Sequence, residues 1–378
     1  MTLKVGIVGA AWGGMAHLPA WRAVPGVEVT AVCTSREESA RAAAEKLGVE
    51  RAFWDAHALC SDPDIDIVDL GTRPNFRLPW LETALRSGKH VYNASPHAPG
   101  WEGAKAIDAA WRAGGSVGVV DAFIEYVPAV RRQIELVREG YIGRPIGGTC
   151  HLNISLFNRA SKQFPYNWFA RGDAGVSGLR NNGSHALYPL LAMLGPVGEL
   201  VADDRQVLPE WIYEDGDRVT PETTDTGNAL LRFESGVVMQ LQAGWAMTMH
   251  DGWLLDIYGT EGRLVSRAPT FPSAQDCTLE GLRAADKPNP HAPTQLQPID
   301  LPETYRAEQG IAIDASFPIP PCFPMALSMR RMVETIEGKA GSALAAPDFA
   351  RALEVERCQE AMRLSQAGRR WIALSDVV

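Results

Sequence analysis

The stretch Leu3–Trp21, LKVGIVGAAWGGMAHLPAW, constrains the fold of this chain more than any other. Leu3, Val5, Ile7 and Val8 form a short apolar run rich in β-branched residues, the composition of a strand buried on both faces. Gly9 ends the run, the small-residue loop Ala10-Ala11-Trp12-Gly13-Gly14 follows, and an apolar helical pattern begins behind it. Strand, small-residue turn and helix make the first unit of a dinucleotide-binding fold. Such residues are needed because backbone N–H groups must approach a pyrophosphate closely. The helix N-terminus adds unpaired donors and partial positive charge. Against G-x-G-x-x-G, Gly9 is the first glycine and Gly14 the third, with Ala11 at the second place. Contacts to a dinucleotide are therefore expected from Gly9, Ala11, Trp12, Gly13 and Gly14, with Trp12 against the cofactor or lining the cleft; the bland alternatives are a mere tight βα turn and core packing of Trp12.

At 378 residues the chain is too long for one typical core, and a division into 1–123 and 124–378 is expected. The second strand, Val27–Cys33, runs into Thr34-Ser35-Arg36 with no carboxylate at its end. In dinucleotide folds an acidic residue there accepts from the ribose hydroxyls of NAD. Two hydroxyls and a guanidinium suit a 2′-phosphate instead, so Thr34, Ser35 and Arg36 favour NADP, with NAD possible. Thr34 and Ser35 could equally cap the helix expected over 37–47.

Further strands are expected at Asp64–Leu70, before Asn93-Ala94-Ser95-Pro96, and at Ser116–Val120, with helices between them. This alternation predicts a doubly wound parallel sheet, whose ligands bind beyond the strand C-terminal ends. Thr72, Arg73, Asn75, Asn93 and Ser95 occupy such ends. After Tyr126 the pattern changes to a helix over Val130–Glu139 and then to strands without intervening helices, which predicts an open, mainly antiparallel sheet. A helix over His185–Leu194 interrupts them, about fifty residues from Arg267 read as mostly irregular, and helices return at Met325–Glu337 and Asp348–Gln366 before a last strand at Trp371–Leu374. The fold class is α/β followed by α+β, with helices on one face of the second sheet.

A net charge of −9 without a Lys/Arg block argues against nucleic acid and anionic membranes as partners. No apolar run is long enough to span a bilayer, and no signal peptide is expected. Six scattered cysteines without a C-x-x-C pair point to reduced thiols in the cytoplasm and to no zinc or other metal site.

The chain resembles the Gfo/Idh/MocA oxidoreductase family along nearly its whole length. The resemblance rests on the glycine fingerprint with His17 behind it, Arg73-Pro74-Asn75, Gly88-Lys89-His90-Val91, Asp121–Arg132, Asn181-Asn182-Gly183-Ser184-His185, and the C-terminal Ala352–Val355 and Gly368-Arg369-Arg370. It implies a Rossmann domain, an open sheet domain, a nicotinamide cofactor, a sugar, polyol or cyclitol substrate, and a homodimer or homotetramer built through the C-terminal sheet.

The family's usual site is a Glu-Lys-Pro motif with an Asp-x-x-x-His pair. Here Ala94-Ser95-Pro96 stands at the first and Asn181 at the Asp. Two ionisable groups are thus replaced, and His185 keeps the one side chain whose ordinary pKa suits proton transfer near neutrality. His185 is expected as acid/base, with Ser95 and Asn181 positioning the substrate oxygen. The bland alternative is a core or capping histidine at the head of the helix Ala186–Leu194. Substrate contacts are expected from His97, Tyr166, Arg180 and Asn181, Arg180 suiting an anionic group. Tyr92, Lys162 and Arg171 are weaker candidates, more readily read as packing or surface residues. A competing reading is a non-redox protein that keeps the cofactor domain, either a ligand-sensing regulator or a redox-neutral lyase or glycosidase using NAD transiently.

Overall fold

The computed structural model describes residues 2–162, 167–287, 289, 291–305, 307–308, 310–312, 317–339 and 344–378. It contains two compact units: Met1–Phe123 with Arg306–Leu353, and Ile124–Tyr305 with Glu354–Val378.

In the first unit six parallel strands form one sheet: β1 Leu3–Val8, β2 Val27–Cys33, β3 Arg51–Phe53, β4 Ile67–Leu70, β5 His90–Asn93 and β6 Gly118–Val120. Their order is β3-β2-β1-β4-β5-β6, which reverses direction between β1 and β4 and so opens a ligand crevice at that point. Val5, Ile67, Val68, Leu70 and Val91 are fully buried, as strands covered on both faces require. The helices between them are α1 Leu18–Arg22, α2 Glu37–Leu47, α3 Ala56–Ser61, α4 Pro74–Arg86 and α5 Trp101–Arg112. Pro74 opens α4 at its first turn, where the missing N–H costs nothing. Val120 N donates to Pro347 O at 2.8 Å, so the returning segment covers the free edge of β6.

In the second unit, α6 Pro128–Arg138 and α7 Gly178–Leu194 pack on a nine-stranded sheet. Its strands lie in the order Gln297–Pro298, Thr278–Arg283, Gly262–Ala268, Gly252–Gly259, Pro145–Asn153, Val238–Gly244, Thr226–Phe233, Val197–Arg205 and Ile372–Ala373. Every pair is antiparallel except Pro145–Asn153 against Val238–Gly244, which makes the sheet mixed.

Three expectations are corrected. The stretch after Arg267 contains the paired strand Thr278–Arg283. Val197–Arg205 is a strand that the alternation did not single out, because its outer face carries Glu199 and Asp203 and its inner face the small Ala202. The third correction is α7, which begins seven residues before His185.

Candidate active site

The Gly9–Gly14 turn is bare because three glycines let the backbone segments touch. Gly9 has φ +108°, a region that disfavours side chains, and a Cβ there would lie 2.7 Å from Gly71 O. A Cβ on Gly13 would lie 2.8 Å from Ile7 Cγ2, and one on Gly71 2.7 Å from Gly13 Cα. Gly14 packs on α2, where a Cβ would meet Leu47 Cδ1 at 3.2 Å. Ala11 is exposed, so its methyl is not wedged into the protein. The helix behind the turn opens as a π turn over Gly13–His17 and continues as α1.

At the end of β2, Thr34 Oγ1 lies 2.7 Å from Ser39 Oγ. Arg36, not Thr34 or Ser35, holds the N-cap position of α2, and no side chain caps it. Ser35 and Arg36 are exposed, and the Arg36 guanidinium makes no ion pair among the described residues. Its neighbour Arg41 is instead engaged with Glu37 at 2.7 Å.

The turn after β5 is built on a buried cation. Arg77, 1% exposed, donates to Asn93 Oδ1 at 2.8 Å and to the carbonyls of Ala94 and Pro96. Asn93 Nδ2 donates to His97 O at 2.8 Å and meets His97 Nδ1 at 3.1 Å. The His97 ring packs edge-on against Phe349 at 4.6 Å. The side chains of Asn93 and His97 thus help to hold the turn, a structural role that the sequence pattern did not assign to them. Ser95 Oγ and Asn75 Oδ1 are buried and have no hydrogen-bond partner among the described residues. Orphaned polar atoms beside a close-packed glycine turn, at the ends of adjacent strands, fit a polar ligand such as a dinucleotide.

Beneath the same strand ends lies a charged cluster. His17 Nδ1 is 2.8 Å from Asp69 Oδ1, and its Nε2 is 3.1 Å from Asp121 Oδ2. Trp21 Nε1 donates to Asp69 at 2.6 Å, and Tyr92 OH and Trp12 Nε1 donate to Asp121 at 3.1 and 3.3 Å. Burial alone would depress the His17 pKa, but the two carboxylates together outweigh it and raise the group to about 10. Neither Arg77 nor this cluster was predicted. Their partners lie far away in sequence, and a charged residue is ordinarily assigned to the surface. The available signal was an Asp within the otherwise apolar β4 run IVDL.

In the second unit, Ser177 caps α7 by accepting from Arg180 N at 3.0 Å. Gly178 fits there because a Cβ would overlap the Asp225 backbone. Asn182 Nδ2 donates to Gly244 O at 2.8 Å and fastens the helix to the sheet. Asn181 and His185 lie one turn apart on this helix, half-buried and 8% exposed respectively. The His185 ring stands edge-on to Phe271 at 5.0 Å. His185 is thus within a helix and not at its head. Arg180 donates to Gly175 O at 3.0 Å and pairs with Glu356, 1% exposed, so its guanidinium is anchored within this unit. Lys162 pairs with Asp215 and Arg171 with Asp173, as surface residues do. Tyr166 lies outside the described residues.

Residues 3–121 match the family model described as the oxidoreductase family, NAD-binding Rossmann fold, and residues 130–265 match the GFO/IDH/MocA C-terminal domain. The chain belongs to the Gfo/Idh/MocA oxidoreductase family. Among curated members, it is 28% identical to D-apiose dehydrogenase of Paraburkholderia graminis over 265 residues, 69% of this chain and 66% of that protein, just under two thirds. It is 26% identical to levoglucosan dehydrogenase of Pseudarthrobacter phenanthrenivorans over 292 residues, 70% and 73% of the two chains. The solved structure of levoglucosan dehydrogenase in complex with NADH and levoglucosan superposes with a TM-score of 0.86 at 22% identity, covering 99% of this chain and 100% of the other. That likeness establishes that this Gfo/Idh/MocA chain shares the fold.

Proposed function

We propose that the chain transfers a hydride between a nicotinamide dinucleotide and a carbon of a sugar-like substrate, interconverting a hydroxyl and a carbonyl. The observation that carries this reading is α7, which sets Asn181 and His185 one turn apart on a chain whose other unit bears the bare Gly9–Gly14 turn. The curated dehydrogenases of apiose and levoglucosan support the sugar-like substrate class. A bound nicotinamide supplies or accepts the hydride.

The remaining work falls to the chain's own side chains. Amides of the Gly9–Gly14 turn and the helix behind it hold the pyrophosphate. Thr72, Arg73 and Asn75 continue the binding surface, and Ser95 donates its unpaired hydroxyl to the cofactor or the substrate oxygen. His185 takes the hydroxyl proton in oxidation and returns it in reduction, and Asn181 orients the oxygen. With no lysine beside Ser95, the proton and the developing charge on the substrate oxygen fall to His185 and the Ser95 hydroxyl. The exposed, unpaired Arg36 beside Thr34 and Ser35 supports a preference for NADP over NAD.

The second sheet supports a homodimer or homotetramer. Leu230, Val238 and Tyr258 are exposed by 41%, 37% and 44% on the face away from their buried neighbours Leu231, Met239 and Ile257. Six free buried cysteines support a reducing, cytoplasmic setting.

The test is the absorbance of reduced nicotinamide during incubation with a panel of sugars, polyols and their carbonyl forms. Net reduction or oxidation is expected. A chain that holds the dinucleotide while no member of a broad panel changes that absorbance would refute hydride transfer.

A further inference from the structure

Trp12 is the one bulky side chain in the turn Gly9-Ala10-Ala11-Trp12-Gly13-Gly14. Its indole has a single polar atom, the Nε1 donor, and that donor goes to Asp121 Oδ2 at 3.3 Å. Asp121 follows β6, so this bond joins the turn after β1 to a strand end across β4 and β5. The carboxylate is itself held in place. His17 Nε2 lies 3.1 Å from Oδ2, and Tyr92 OH donates to Oδ1 at 3.1 Å. His17 is pinned on its other side by Asp69, and Asp69 by Trp21. The rings interlock as well: Tyr92 stands edge-on to His17 at 5.4 Å and to Trp21 at 5.5 Å.

Two carboxylates and an imidazole with side chains 0–3% exposed are a costly way to fill a core. Apolar side chains of similar volume would be as stable or more so. Buried ionic groups are best understood where they fix a geometry, and here the geometry at the open end of the cluster is the Trp12 indole.

We propose that Asp121, oriented by His17 and Tyr92, is a positioning residue that fixes the Trp12 indole as one wall of the dinucleotide site. This rests on the reading of Trp12 as a cofactor contact. The cluster acts as a rigid bracket between that contact and the far side of the sheet, and touches no reacting atom.

Titration calorimetry of the full chain with NADH and NADPH tests it, using Trp12→Ala, Trp12→Phe, Asp121→Asn, Tyr92→Phe and the Trp12→Phe combinations. Asp121→Asn and Tyr92→Phe are each expected to weaken binding, Asp121→Asn by about tenfold, the value of one hydrogen bond to a charged group. In the Trp12→Phe background, which lacks the indole donor, neither should weaken binding further. Losses that multiply in the double variants, or Asp121→Asn and Tyr92→Phe binding as tightly as the native chain, would overturn the bracket. A purely structural role would lower the melting temperature equally in both backgrounds without this coupling. Should Asp121→Asn not fold, Tyr92→Phe, which removes one hydroxyl and leaves the turn untouched, decides alone. Trp12→Ala binding like the native chain would sink the cofactor contact itself, a separate failure.

Discussion

Asn181 and His185 stand one turn apart on α7, within a single helix that starts at the Ser177 cap. A helix holds two side chains at this spacing with little freedom, so the amide proposed to orient the substrate oxygen and the imidazole proposed to move the proton come as one rigid pair. Substituting His185→Ala should lower kcat by about 10²–10⁴-fold, the range for loss of a general acid/base, while the dinucleotide dissociation constant stays unchanged. Asn181→Ala should act chiefly on substrate KM. Steady-state kinetics and cofactor titration separate the two. A His185→Ala enzyme with native kcat would remove the residue from the chemistry.

Arg36 decides the nucleotide preference if the proposal is right. Its guanidinium is exposed and makes no ion pair among the described residues, so replacing it disturbs no partner. Arg36→Ser should cost about 10–100-fold in kcat/KM for NADPH, as expected for a lost charge-assisted contact to phosphate, and little for NADH. Equal losses with both cofactors, or none with either, would point away from a 2′-phosphate at this strand end.

How far these features were legible varies with how local their cause is. Val27–Cys33 and Glu37–Leu47 lie where apolar periodicity put them, because each pattern is complete within its own segment. The start of α7 was hidden by Gly178, Asn181, Asn182 and Gly183, poor helix formers; Gly178 fits against the Asp225 backbone, Asn182 bonds to Gly244, and Gly183 packs near Ala243, all contacts outside the local pattern. The parallel pairing of Pro145–Asn153 with Val238–Gly244 is a long-range choice that no local pattern carries. At the site, the glycine turn was readable because backbone geometry demands its residue types. Arg77, Asp69 and Asp121 were not, because what makes a buried charge tolerable is a partner elsewhere in the chain.

Arg77 carries the turn that presents Ser95. Replacing it with Met leaves the Asn93 side-chain oxygen and two main-chain carbonyls without their donor. Unsatisfied buried acceptors cost about 1–3 kcal/mol each, so Arg77→Met should lower the melting temperature by several degrees and weaken cofactor binding. Arg77→Lys should rescue only part of both, because an ammonium cannot reproduce a planar fork that reaches several carbonyls. Full rescue by Lys would mean that charge alone matters there.

The His17 cluster makes stability depend on pH in a predictable direction. The folded imidazole titrates at about 10, against an ordinary value of 6.5. A raised pKa means that its stabilising contribution is complete below about pH 6.5 and is lost as pH rises toward the folded value. The groups facing it are Asp69, Asp121 and Tyr92, and burial and Asp121 push the Tyr92 phenol well above its ordinary value, so it stays neutral across this window. The full effect amounts to about 5 kcal/mol at most. Urea midpoints should fall between about pH 6.5 and 9 in the native chain, and the fall should be shallower in His17→Asn. Parallel slopes in the two proteins would show that His17 is not charged in the folded state.

Gly71 tests the close approach on which the bare turn depends. A methyl at this position would lie 2.7 Å from Gly13 Cα and 3.0 Å from Gly13 N. Both are main-chain atoms at the head of the first helix, so no side chain can swing aside to make room. The turn must instead lift away from the end of β4, and the amides that it presents lift with it. Gly71→Ala should therefore cost about 1–3 kcal/mol of stability, the range for overpacking a filled site, and weaken dinucleotide binding at least in proportion. Gly115→Ala is the matched control, because a methyl there meets nothing within 4 Å among the described residues. It should leave both quantities unchanged. If Gly71→Ala lost stability but bound the dinucleotide with native affinity, the pyrophosphate would have to lie somewhere other than over the Gly9–Gly14 amides.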